Sequence, residues 1–99
     1  MSQRVVWKFP VLPGEFKISL PQGAQFLSLD VQEELYGTPN AFMWLLVDPA
    51  APKIEKTFRT VATGEEFESF GLAYRGTFQI HGFGWGFGSL VFHLFEAGA

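Results

Sequence analysis

The sequence predicts an all-β domain: about seven short antiparallel strands arranged as a β-sandwich or partly open barrel. Three observations carry this: turn chemistry at regular intervals, apolar and polar residues alternating with period two between the turns, and an excess of aromatic residues. Pro13-Gly14, Pro21-Gln22-Gly23, Tyr36 to Asn40, Asp48-Pro49 through Pro52, Thr63-Gly64, Gly71 and the stretch Gly82 to Gly88 cut the chain into short runs. Twelve Phe, three Trp and two Tyr favour strands, because aromatic rings fit a pleated, half-buried surface. The 99 residues are 47% hydrophobic and 17% charged, which supplies one core without staples. No window is polar and charged enough to stay unfolded, so residues 1–99 read as a single domain.

The strands fall near residues 4–9, 15–20, 25–33, 41–48, 54–62, 72–81 and 89–96. In the first, Val5, Trp7 and Phe9 share one face. Phe16, Ile18 and Leu20 share a face of the second, with Lys17 and Ser19 opposite. In the third, Leu27, Leu29 and Val31 alternate with Ser28 and Asp30. In the sixth, Tyr74, Phe78 and Ile80 alternate with Arg75, Thr77, Gln79 and His81, and Gly76 sits on the apolar face, where a large neighbour can lie against the backbone. Between the fifth and sixth, Thr63 to Gly71 carries the single helical hint: a capping pair Thr63/Glu66 and Phe67/Phe70 at i,i+3. At most one short helical turn near 64–70 is expected, its two Phe lying over a barrel end or sandwich edge.

Two strands are apolar on both sides. The fourth has Phe42, Trp44 and Leu46 on one face and Ala41, Met43, Leu45 and Val47 on the other; the seventh sets Leu90, Phe92 and Leu94 against Val91, His93 and Phe95. One small sandwich has one interior, so the second faces need cover from loops, from segment 65–70 or from another subunit. The expectation is a homo-oligomer, a dimer or higher, with Phe42, Trp44, Val91 and Phe95 at the interface.

Composition narrows the function classes. Seven Lys+Arg against ten Asp+Glu give a formal charge of −3, and the basic residues are scattered, so the electrostatic term behind nucleic-acid affinity is weak. No cysteine means no disulfides, no thiolate metal ligands and no thiol catalysis. The N-terminal residues lack a signal-peptide apolar run, and Ala41 to Val47 is far short of the ~20 residues that cross a bilayer; a soluble cytoplasmic protein is expected.

The stretch Gly82-Phe83-Gly84-Trp85-Gly86-Phe87-Gly88 is the most unusual in the chain. Alternating Gly and aromatic residues give a permissive backbone carrying three flat side chains, suited to stacking on a ligand or filling a partner's pocket. The plainer alternative is a hairpin loop whose aromatics cap the core. If the hairpin centres on Trp85, His81 faces Ser89, Gln79 faces Val91 and Thr77 faces His93. That register gathers Arg75, Thr77, Gln79, His81, Ser89 and His93 on one face, a cradle for a small polar or anionic ligand or else an ordinary solvated surface. Phe83, Trp85, Phe87, Arg75, Gln79, His81 and His93 are therefore the candidate ligand- or partner-binding residues.

Catalysis and metal binding are not expected. His81 and His93 are four cross-strand steps apart in this register, and the odd spacing of His93 and Glu96 sends them to opposite faces. No nucleophile elbow surrounds Ser89, and Glu33-Glu34 and Glu65-Glu66 sit in turn-like segments. The reading is a non-enzymatic binding protein with no cofactor and no metal.

The runs Leu20 to Gln32, Met43 to Pro49, Ala62-Thr63-Gly64, Tyr74 to Gln79 and Leu90 to Glu96 resemble a family of small, functionally uncharacterised all-β proteins common in phage and prophage genomes. The resemblance spans most of the chain and rests on strand and turn signatures. Gly82 to Gly88 departs from it as an insertion where relatives carry a short turn. The resemblance implies a phage protein in the host cytoplasm, acting against host defence by masking a host protein or sequestering a signalling nucleotide. The alternative is a structural or assembly component of the phage particle.

Overall fold

The computed structural model describes residues 3–33, 39–80 and 90–98. Its strands are β1 (Val5–Pro10), β2 (Gly14–Pro21), β3 (Gln25–Glu33), β4 (Pro39–Val47), β5 (Lys53–Ala62), β6 (Leu72–Ile80) and β7 (Leu90–Ala97). Each lies within two residues of the position that alternation and turn chemistry assign. All pairings are antiparallel, in two sheets of order β1-β4-β3 and β2-β5-β7-β6. The sheets do not close on each other, so of the two architectures expected the sandwich is the one adopted.

The turns follow from local chemistry. Gly23 takes φ 85° where Ala24 N–H bonds back to the Pro21 carbonyl at 3.3 Å. After β4, the Asp48 carboxylate accepts the Ala50 N–H at 3.0 Å, an Asx turn that starts the proline-rich reversal into β5.

The core lies between the sheets. Met43, Leu45 and Val47 of β4 meet Phe16 and Leu20 of β2, Phe58 of β5 and Leu94 of β7, with Trp7, Phe9 and Phe26 packed around them. Phe16 and Phe58 are cross-strand partners with stacked rings 5.5 Å apart. A second cluster, Ala41, Phe78 and Ile80, joins the first through Val11 and Leu29. Burying each large apolar side chain contributes roughly 1.5–3 kcal/mol.

Two bulges depart from simple alternation. In β3 the register shifts between Phe26 and Ser28. Leu27, expected on the core face with Leu29 and Val31, is 48% exposed, and Phe26 packs on the core instead. In β6 the register shifts between Tyr74 and Gly76, opposite Phe95 and Leu94 of β7. Tyr74, expected on the core face, therefore lies outside and is 57% exposed.

Segment 63–71 contains no helix. Instead of a capping box, the Glu65 carboxylate reaches back to accept the Ala62 N–H at 3.1 Å, and Gly64 takes φ 91°, which closes a turn after β5 and stops helical propagation. Phe67 packs on the outer face of the four-stranded sheet and Phe70 is exposed, so neither lies over a barrel end.

Gly76 sits where the sheets approach most closely, β3 against β6. A Cβ at this position would lie 3.0 Å from Leu29 Cδ2. Because Leu29 joins both core clusters, it has little room to move, and Gly76→Ala is expected to destabilise the domain by about 1–3 kcal/mol in chemical denaturation. A shift within ±0.3 kcal/mol would show that the sheets are not locked together there.

Candidate functional site

The outer face of the β6–β7 pair is where the chemistry-bearing side chains converge. Its register follows the sequence expectation: Thr77 faces His93 and Gln79 faces Val91. Phe78, Ile80 and Leu94 of the same strands are buried on the inner side, so their alternate neighbours Thr77, Gln79 and His93 face outward. Phe83, Trp85, Phe87 and His81, together with Ser89, lie outside the described residues.

Arg75 is not on this face. The bulge in β6 turns it to the other side, where its Nε donates to Glu96 Oε1 at 2.8 Å; Lys56 Nζ lies 3.1 Å from the other oxygen, Oε2. Glu96, only 8% exposed, follows Leu94 on the inner face of β7, and two cations at its two oxygens make its burial tolerable. The expected grouping of Arg75 with Gln79 and His93 is corrected by this one inserted residue. His93 and Glu96 do fall on opposite faces, as their spacing requires.

Tyr74 takes the outward position instead. Its ring meets Phe95 edge-on at 5.7 Å, and Phe67 tilts against Phe95 at 5.0 Å. The Tyr74 hydroxyl is bonded to Thr77 Oγ1. Thr77 Oγ1 lies 2.9 Å from His93 Nδ1, and His93 Nε2 lies 2.8 Å from Thr63 Oγ1. Thr63 is anchored to the Val91 carbonyl by its N–H at 3.0 Å and its hydroxyl at 3.3 Å.

One direction keeps every one of these contacts. With Thr63 Oγ1 donating to Val91 O, it accepts from His93 Nε2–H; His93 Nδ1 then accepts from the Thr77 hydroxyl, which accepts from Tyr74. In this direction the neutral ring is the Nε2–H tautomer. The linked side chains give up little further rotamer freedom when something binds them.

Arg59, Thr63, Phe67 and Tyr74 belong to this face but were not among the residues singled out from the sequence. Arg59 pairs with Phe95 across β5–β7, and its Nη2 lies 3.7 Å from Glu65 Oε2; its Nε is buried without a hydrogen-bond partner among the described residues. The outward phase of Arg59 is visible from its alternation with Phe58 and Thr60. Its adjacency to Phe95 is not, because it depends on β5 lying beside β7.

Of the four expected interface residues, Phe42 is buried and Trp44, Val91 and Phe95 are half-buried. Phe42 is 8% exposed beneath Lys8, whose Nζ lies 4.0 Å from the ring centroid and bonds Gln32 Oε1 at 2.7 Å. Trp44 is half-buried, 5.9 Å from the same ammonium. Phe95 meets the rings of Phe67 and Tyr74, and Val91 lies beside Thr63. Trp44 also lines a depression of about 450 Å3 on the outer face of the three-stranded sheet, bordered by Val6 and Leu27.

A family model describing a domain of unknown function, DUF7352, matches residues 2–99. The chain belongs to the DUF7352 family. No curated protein and no solved structure matches it. The match agrees with the resemblance to a small domain family without a known role. Among the described residues of this DUF7352 member, the Tyr74–Thr77–His93–Thr63 chain links four polar side chains on one face.

Long-range proton–nitrogen NMR at neutral pH is expected to show the Nε2–H tautomer for neutral His93. Observation of the Nδ1–H form would contradict the assigned direction of the hydrogen-bond chain.

Proposed function

We propose that this protein is a non-enzymatic binding module that engages a protein partner through the outer face of the four-stranded sheet, with Tyr74 and Phe70 as anchors. The observation that carries the reading is the state of Tyr74: 57% exposed, yet held by Phe95 at its ring and Thr77 at its hydroxyl. An exposed aromatic already fixed in place is what a binding anchor requires. Phe70, 91% exposed, precedes the same strand and adds a second anchor.

Protein contact is favoured over sequestration of an anionic nucleotide because Arg75, the cation expected to orient an anion, is engaged by Glu96 on the other side of the sheet, and Arg59, the cation on this face, lies 3.7 Å from the Glu65 carboxylate. A binding role is favoured over catalysis because both His93 ring nitrogens bond threonine hydroxyls, leaving no position for an orienting carboxylate. The phage resemblance extends the proposal to a protein of the host cytoplasm that masks a host defence component. A second reading, packing of this chain into a homo-oligomer or a phage particle, draws on the other sheet, where Val6 and Leu27 are 49% and 48% exposed beside Trp44.

Cross-linking and affinity capture from expressing cells separates the two. A partner recovered by the native protein is expected to be lost from Phe70→Ser and Tyr74→Ser, each weakening binding about 30-fold or more, and retained by Leu27→Ser. Equal recovery by the native protein and both aromatic variants would remove this face from consideration.

A further inference from the structure

We infer a small-molecule site at an open end of the sandwich, separate from the outer face: a pocket of about 170 Å3, open to solvent, where β4 begins. Val11, Ala41, Thr60, Phe78, Ile80 and Phe92 are among its lining, with Leu12, Pro13 and Asn40 completing it. The cavity arises from side-chain size. The inward positions of β4 read Ala41, Met43, Leu45 and Val47, and the last three fill the core while Ala41 leaves space beside Phe78 and Ile80. Its wall is ordered: Phe78 and Phe92 are cross-strand partners stacked at 5.5 Å and 25°, and Val11 N–H bonds the Ala41 carbonyl at 2.9 Å.

Thr60 is the second, independent observation. It is 5% exposed, and its hydroxyl is buried with no hydrogen-bond partner among the described residues. The register explains why: its neighbours across the ladder are Gly14, which has no side chain, and Leu94, which has no polar atom. A buried hydroxyl without a partner lowers the stability of the empty protein, and a valine of the same shape would avoid that loss. A mostly apolar pocket whose lining holds one unanswered buried hydroxyl and the Asn40 amide matches a single-ring aromatic molecule bearing one hydroxyl. An apolar cavity of about 150 Å3 suffices to take up benzene.

The test is an NMR titration of the full chain with phenol and with benzene. Phenol is expected to give saturable shifts at Thr60, Phe78 and Phe92 and to bind about fivefold more tightly than benzene, the worth of one neutral hydrogen bond. Thr60→Val is expected to remove that preference and to raise the melting temperature of the ligand-free protein. Ala41→Leu, which fills the chamber, is expected to abolish both responses; should that variant not fold, Thr60→Val decides alone. No saturable shifts from either probe, a phenol preference that survives Thr60→Val, or a lower melting temperature for Thr60→Val would each overturn the site. Phe70 and Tyr74 play no part in these measurements, so this site and the partner-binding face can fail independently.

Discussion

The Arg75 guanidinium meeting the Glu96 carboxylate at 2.8 Å decides which side of β6 faces the core along half of its length. From Gly76 to Ile80 the strand pairs regularly with β7, and Phe78 and Ile80 point inward. With the same phase continued, Tyr74 would enter the core beside them and Arg75 would project outward. The bulge exchanges the two. Glu96 then has a cation at each oxygen, and Tyr74 comes to rest on Phe95 outside. Arg75 and Lys56 remain 31% and 23% exposed, so screening limits the net stability that the pairs contribute. Their larger effect is on choice of register: with the bulge elsewhere, Glu96 would be buried beside a single cation.

The rest of the outer face is built on that exchange. Tyr74 closes a hydrogen-bonded line through Thr77 and His93 to Thr63, and Thr63 fixes the turn after β5 to the Val91 carbonyl. Phe67, delivered by that turn, completes the aromatic cluster around Phe95. The 63–71 segment, β6 and β7 are thereby joined on the side of the sheet away from the core. On the inner side, contact of Leu29 with Gly76 brings the sheets together, and Ala41 leaves a chamber between them. The proposed partner surface and the proposed small-molecule site thus lie on opposite faces of the same strands.

Much of this is legible in the sequence, for a physical reason. Side-chain direction in a strand repeats every two residues, so Phe16, Ile18 and Leu20 declare their face, and a glycine among large apolar residues declares a close approach at residue 76. The pairing of Thr77 with His93 follows from the symmetry of the flanking runs about residue 85. The two bulges are not legible, because an inserted residue changes phase without changing composition: Leu27 and Tyr74 look like core residues in any alternation count. Sheet order is equally hidden, since it depends on long-range contacts. Hence Arg59, Thr63 and Phe67 were missed as neighbours of His93 and Phe95. The expected helical turn fails at Glu65, whose carboxylate serves the Ala62 N–H rather than the start of a helix.

The bulge at Arg75 is the claim on which both faces rest, and a nuclear Overhauser spectrum of carbon-labelled protein tests it most directly. The account predicts cross-peaks from the Tyr74 ring to Phe95 and Thr77, with none to Leu29 or Leu94. Cross-peaks from Tyr74 to Leu29 and Leu94, with Arg75 remote from Glu96, would show an uninterrupted strand and contradict it.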